Sequence, residues 1–233
     1  MIDLTSEMAA LWAALGPASP RGGRMVLVVG ALSGEGTSTV AREYARLAAV
    51  RARRPVWLID ADLDQPGQLE AVAQAPDRFG ALGKSALASP DGSCFFDVRP
   101  PLKSRDGRIV PPARLLTARP CLGGRLWVAR FAAETLRTGQ RAEAVADPAY
   151  WNALRPHAET VVVDCPAAER ADTVLALAPL ADAVVMVVAA ESTGAVEAST
   201  LRNDIEAVGG RIAGVVLNRT AWRPPGFLRQ LTG

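Results

Sequence analysis

Six short apolar runs punctuate the chain, at 25–29, 56–59, 126–129, 161–163, 183–189 and 212–217. They are continuous rather than alternating, as expected of strands buried on both faces in a parallel sheet. Elsewhere, apolar positions recur at helical spacing. Val40, Tyr44, Leu47 and Ala48 share a face after the first run, and Pro55 stops that segment just past Arg53 and Arg54. Over 192–208, Val196, Leu201, Ile205 and Val208 do the same. Strands alternating with helices predict an α/β fold, doubly wound around a mostly parallel sheet. Residues 1–15 predict one further helix with Met8, Leu11, Trp12 and Leu15 on a docking face, stopped by Gly16-Pro17, and a linker that runs to residue 24. The expected organisation is this helix and linker over 1–24, then a main domain over 25–233. Within it, the segment from about 67 to 125 breaks the alternation with Pro90-Asp91-Gly92, Pro100-Pro101, Asp106-Gly107, Pro111-Pro112 and Gly123-Gly124. It reads as an irregular insertion with a hairpin turn near Ser104–Gly107.

At 233 residues the chain can bury a core on both faces of one sheet. Its formal charge of +2 is too small, and its arginines too scattered, to imply a nucleic-acid partner. Lys84 and Lys103 are the only lysines. Cys94, Cys121 and Cys165 form no C-x-x-C pair, which argues against a disulfide framework or a zinc site. His157 is the only histidine and reads as a surface residue ahead of a strand. The longest apolar run, 183–190, falls well short of the roughly 20 residues a membrane helix needs. Met1 to Glu7 has no basic n-region. The expectation is a chain without a transmembrane segment, resident in the cytoplasm.

Ligands of such sheets sit beyond the carboxyl ends of the strands. The first strand is followed by Gly30-Ala31-Leu32-Ser33-Gly34-Glu35-Gly36-Thr37-Ser38-Thr39, which has the spacing of a phosphate-binding loop with Thr37 where the motif requires lysine. In an intact loop, backbone N–H groups wrap the phosphates, the lysine reaches the outer ones and the Ser or Thr hydroxyl holds magnesium. The other strand ends present Asp60-Ala61-Asp62, Asp164-Cys165-Pro166 and Asn218. Any one of these carboxylates could be a helix cap or a loop acid. Three strand ends together point to a phosphate and magnesium pocket, with Ser38, Asp60 and Asp164 as the metal candidates and Asp60, Asp62 and Asp164 as the catalytic ones. A dinucleotide site is disfavoured because Thr39 occupies the position of the third glycine in that fingerprint.

With these residues placed, the chain resembles the cytoplasmic P-loop domain of bacterial polysaccharide-export tyrosine autokinases, relatives of the MinD/ParA group. Gly34-Glu35-Gly36-Thr37-Ser38-Thr39 is similar to that family's GEGKST loop, and Val56 to Pro66 to its LLIDADxRxP motif. Val161-Val162-Val163-Asp164-Cys165-Pro166 resembles its Walker B strand, and Gly214 to Arg219 its GVVLN strand. The resemblance implies ATP or ADP with magnesium as cofactor, residues 34–39 on the phosphates and Asn218 on the adenine. It also implies a membrane polysaccharide co-polymerase as partner, with recruitment to the inner membrane.

The departures are specific. Thr37 replaces the lysine, Asp64 or Gln65 stands where the acidic motif ends in a basic residue, and Leu32 stands where MinD/ParA proteins carry their signature lysine. Residues 219–233 hold no tyrosine, and the family's E-x-x-R-x-x-R oligomer motif aligns with Glu7, Ala10 and Ala13, so the oligomeric state is open. Charge-assisted hydrogen bonds contribute about 1.5–3 kcal/mol each. Losing one or two lowers nucleotide affinity on the order of 10- to 1,000-fold, and removing a preorganised donor slows comparable reactions about 100- to 1,000-fold. The expected function is therefore a regulatory or scaffolding pseudo-kinase of exopolysaccharide synthesis and export, of the capsule or holdfast kind, with weak nucleotide binding or none. Two alternatives stay open: an active ATPase or protein kinase with a substitute cation, and a MinD/ParA-like positioning protein anchored through Trp222, Phe227, Leu228 and the neighbouring arginines.

Overall fold

The computed structural model describes residues 4–16 and 23–219. All six apolar runs form strands of one sheet: β1 (Arg24–Gly30), β2 (Val56–Asp60), β6 (Leu126–Phe131), β8 (Thr160–Asp164), β9 (Ala183–Ala189) and β10 (Ile212–Asn218). Their pairings are all parallel, in the order β10-β9-β1-β8-β2-β6. Beyond β6, β5 (Leu116–Cys121) and β3 (Ala86–Leu87) extend the sheet antiparallel. β4 (Phe96–Arg99) and β7 (Arg141–Ala144) form a separate antiparallel pair.

Among the described residues seven α-helices flank the sheet: α1 (Thr5–Leu15), α2 (Thr37–Arg51), α3 (Gln68–Ala73), α4 (Pro76–Phe79), α5 (Ala149–Leu154), α6 (Thr173–Leu177) and α7 (Ala195–Ala207). Strand pleating sends alternate residues to opposite faces. Leu27, Val29, Ile59, Val161 and Val163 pack with Trp151, Leu154, Val174, Leu177, Leu201 and Ile205, which lie on α5, α6 and α7. Val28, Leu58, Val128 and Val162 pack with Val40, Tyr44 and Leu47 of α2 and Met8 of α1. The β1, β2 and β8 residues are all buried, which is why these strands carry no polar alternation.

α1 docks on α2 through buried Met8, and Arg51 lies over the Trp12 ring at 4.9 Å. Segment 67–125 is more ordered than a run of turns: it holds α3 and α4, contributes β3 and β5 to the main sheet, and sends β4 to pair with β7. Its tight turn lies where the Asp106-Gly107 pair placed it, with Lys103 bridged to Ile109. β4 is fastened by aromatic contacts, Phe96 on Phe131 at 4.8 Å and Phe95 on Trp151 at 5.3 Å. No described helix is long and apolar enough to cross a membrane.

Candidate functional site

The strand order places the chemistry. β8 lies between β1 and β2, so the loop after β1, Asp164 at the end of β8 and Asp60 at the end of β2 stand side by side, with Asp60 in register with Asp164. The loop after β1 runs straight into α2, whose N-terminal cap is Gly36 at φ +89°. Gly34 is also left-handed, at φ +84°. This backbone turns the helix N-terminus toward a cavity of about 340 Å³, whose lining includes Gly34, Gly36, Thr37, Ser38, Thr39, Asp62, Asp164, Arg170 and Arg219. Free N–H groups at such a helix start favour an anion.

The loop is held from behind by groups the motif does not advertise. Glu35 is buried and does not line the cavity; its carboxylate accepts hydrogen bonds from the Leu32 N–H at 3.0 Å and from the Thr193 hydroxyl. Gly30 makes room for it, since a β-carbon there would lie 2.2 Å from Glu35 Oε2. The Asn218 side-chain amide donates to the Glu35 carbonyl at 2.8 Å, and its Oδ1 accepts from the Arg219 N–H at 2.9 Å. Asn218 thus clamps the loop from the end of β10. Glu169 accepts the Ser33 N–H at 2.7 Å, and the segment around it is tied to the loop by Ala168 N–H to the Gly30 carbonyl at 3.0 Å.

The three aspartates differ in state. Asp60 is buried and both its oxygens accept backbone N–H groups, from Asp62 at 3.2 Å and from Gln68 at 2.8 Å. Burial, and then the neighbouring Asp164 charge, push its pKa up to about 8. Both effects favour its neutral form over the anion. Burial also raises Asp164, to about 6, against hydrogen bonding from Gln68 and the Ser38 side chain and attraction to Arg42, which favour its anion. Asp62 is engaged elsewhere: its carboxylate receives Arg170 through two nitrogens, at 2.7 and 3.2 Å, and the Gln65 N–H at 2.9 Å.

Gln68, unsuspected in the sequence, ties the centre together. Its side-chain amide donates to Asp164 Oδ2 at 2.7 Å and to the Ser38 carbonyl at 2.8 Å, and its Oε1 accepts from Arg42 at 3.1 Å. Asp164 Oδ1 remains buried without a hydrogen bond, although the Ser38 side chain faces this carboxylate. A buried carboxylate oxygen left open beside a Ser hydroxyl suits a magnesium ion or its water. The residues present therefore fit the metal through Ser38 and Asp164. When bound, such an ion would neutralise phosphate charge. The Thr37 side chain cannot do the work of a lysine: its hydroxyl lies close against Gly30, where a β-carbon would come within 2.7 Å.

A second cavity, of about 520 Å³, adjoins the first and shares Asp62 and Arg170 with it; Arg141 to Ala144 of β7 form part of its wall. Among the described residues no cluster of His, Cys, Asp and Glu is arranged to hold a metal on its own. Trp222, Phe227 and Leu228, the anchor residues of the positioning-protein alternative, lie outside the described residues.

No protein-family model and no characterised protein sequence matches the chain. Solved structures do. The chimerical protein CapA2B2 superposes with a TM-score of 0.60 at 17% identity, over 93% of this chain and 85% of that one. The VpsO kinase domain gives 0.55 at 20% identity, over 85% and 86%. The kinase domain of the Escherichia coli tyrosine kinase ETK gives 0.55 at 16%, over 94% and 74%. At these identities the likeness shows the fold alone: the chain shares a doubly wound α/β architecture with CapA2B2 and with the VpsO and ETK kinase domains.

Proposed function

We propose that this chain is a pseudo-kinase: a P-loop domain that keeps a phosphate cradle and a magnesium carboxylate but has lost phosphoryl transfer, and that serves as a regulatory or scaffolding component of exopolysaccharide synthesis and export. The observation that carries this reading is the formed loop with Thr37 in place of its lysine, beside an Asp164 still held for a cation by Gln68. Two further features support it. Asp62 is committed to Arg170 rather than open to a reacting hydroxyl. Both tyrosines of the chain, Tyr44 and Tyr150, are fully buried, which leaves neither available as a phosphate acceptor.

The polysaccharide setting, a membrane co-polymerase partner and a cytoplasmic location at the inner membrane are part of this proposal; the family resemblance is their support, and the kinase-domain fold agrees with it. The site itself supports weak binding of ATP or ADP with magnesium. Calorimetric titration with MgADP, combined with phosphoryl-transfer assays on wild type and Thr37→Lys, tests the proposal. The expected outcome is no measurable transfer by wild type and a gain of about 10- to 1,000-fold in ADP affinity on restoring the lysine. Transfer by wild type at a rate typical of kinases, about 1–100 s⁻¹, would establish instead the active enzyme with a substitute cation.

A further inference from the structure

The phosphate cavity has lost its lysine but not every cation. Arg170 and Arg219 are the two cationic side chains that line it among the described residues, and they differ in how they are held. Arg219 follows the last residue of the edge strand β10, with a left-handed φ of 54°. Arg170 is fixed through its guanidinium and through the segment that carries it. Its guanidinium meets Asp62 through Nη1 at 2.7 Å and Nη2 at 3.2 Å. Asp62 is itself fixed, as its Oδ1 accepts the N–H groups of Asp64 at 3.3 Å and Gln65 at 2.9 Å. The segment just before Arg170 is pinned to the phosphate loop, with Glu169 N–H on the Ala31 carbonyl at 3.2 Å and the Glu169 carboxylate on the Ser33 N–H at 2.7 Å. Arg170 is thus built into the same unit as the loop.

A guanidinium carries five N–H donors in a rigid fork. The Asp62 pair uses one from each terminal nitrogen, so three remain for a second anion. An ammonium at position 37 would come from the first turn of α2, whereas Arg170 lines the same cavity from the segment after β8. Asp164 also lines this cavity, and its buried Oδ1 has no hydrogen-bond partner among the described residues, an open acceptor that suits the metal of an anion held by Arg170.

We propose that Arg170 replaces the missing lysine as the phosphate-binding cation, and that its pair with Asp62 both aims the guanidinium and withdraws that carboxylate from phosphoryl-transfer chemistry. The ligand class is a nucleoside diphosphate or triphosphate with magnesium, held without turnover. This inference rests on the pseudo-kinase reading and gives it a specific binding device.

MgADP titration by calorimetry on Arg170→Gln, Arg219→Gln, Thr37→Lys and the Thr37→Lys/Arg170→Gln double variant tests it. Glutamine at 170 keeps a polar group for Asp62 but removes the charge; Arg170→Ala is the second variant should it unfold, and thermal melting verifies the fold of each. The expected result is measurable binding by wild type, a loss of about 10- to 100-fold in Arg170→Gln and a change below about threefold in Arg219→Gln. The affinity gained from Thr37→Lys should be larger in the Arg170→Gln background than in wild type, because two cations serving one phosphate are partly redundant. The assignment is overturned by unchanged affinity in Arg170→Gln, by a loss confined to Arg219→Gln, by an equal lysine gain in both backgrounds, or by no wild-type binding at all. This last result would leave the pseudo-kinase reading standing as a pure scaffold. Wild-type phosphoryl transfer would sink that reading while the ADP titrations still judged Arg170.

Discussion

Gly36 meets two demands at once. It takes φ +89°, a left-handed conformation costly for any residue with a side chain, and a β-carbon on it would lie 2.1 Å from Asn218 Nδ2. Gly36→Ala should therefore lose the left-handed penalty of about 1–2 kcal/mol plus a steric cost, while Asn218→Ala should lose about 0.5–1.5 kcal/mol for the bond to the Glu35 carbonyl. Urea denaturation of both single variants and the double variant separates these costs. The double variant is expected to be more stable than the sum of the singles requires, because removing Asn218 relieves the clash but not the backbone penalty. Strict additivity would mean that Asn218 swings away freely and clamps nothing. The sequence marks Gly36 and Asn218 individually, the first by motif spacing and the second by its place after an apolar run. Their contact joins β10 to a loop some 180 positions earlier, a separation of 183 for the Asn218 bond to Glu35, so nothing local could reveal it.

Strand pairing is what makes the acidic centre unusual. Asp60 and Asp164 end neighbouring strands in register, so Asp60 is buried next to the Asp164 charge. An aspartate in the unfolded chain titrates near 3.9, whereas Asp60 in the fold is raised to about 8, first by burial and then by Asp164. Between those values the folded state binds more protons than the unfolded state, so stability must decline as pH rises from about 4 to about 8. Chemical denaturation at pH 5 and pH 8 should show this decline in wild type and a flatter profile in Asp60→Asn; equal slopes would place the titration elsewhere. The carboxylates were legible because both follow apolar runs. Gln68 was not, since it lies in a turn-rich stretch after Pro66-Gly67, where a glutamine has no signal of its own. Arg170 was hidden in the same way, six residues beyond Asp164.

At the scale of the molecule, the small β4–β7 sheet is joined to the central one by a shared aromatic core. Phe95, Phe96, Phe131, Tyr150 and Trp151 are all buried, and Phe95 touches both Tyr150, at 5.4 Å, and Trp151, at 5.3 Å. Trp151 also belongs to the cluster under β1 and β8. Trp151→Ala should cost about 3–5 kcal/mol and still unfold in one transition, by fluorescence and circular dichroism alike. Two separated transitions would show that the small sheet melts on its own. β7, Arg-Ala-Glu-Ala, carries no apolar pattern and is exposed along much of its length, and β4 alternates buried and exposed residues over four positions. Strands this short and half-polar owe their existence to a partner more than forty residues away.

By itself the sequence determined the fold class, the six parallel strands, the helix after the first of them and the loop with its missing lysine. Each of these is written in local periodicity or in residue spacing, which solvent exclusion and backbone geometry translate directly into structure. The tertiary structure alone decided the order β10-β9-β1-β8-β2-β6, and with it which strand ends are neighbours. Burial then decided that Asp60 is shifted toward its neutral form, and long-range contact decided that Asp62 is bound to Arg170 and Asp164 to Gln68. Charge state and hydrogen bonding depend on what surrounds a group in space, and that environment is assembled from segments far apart in the chain.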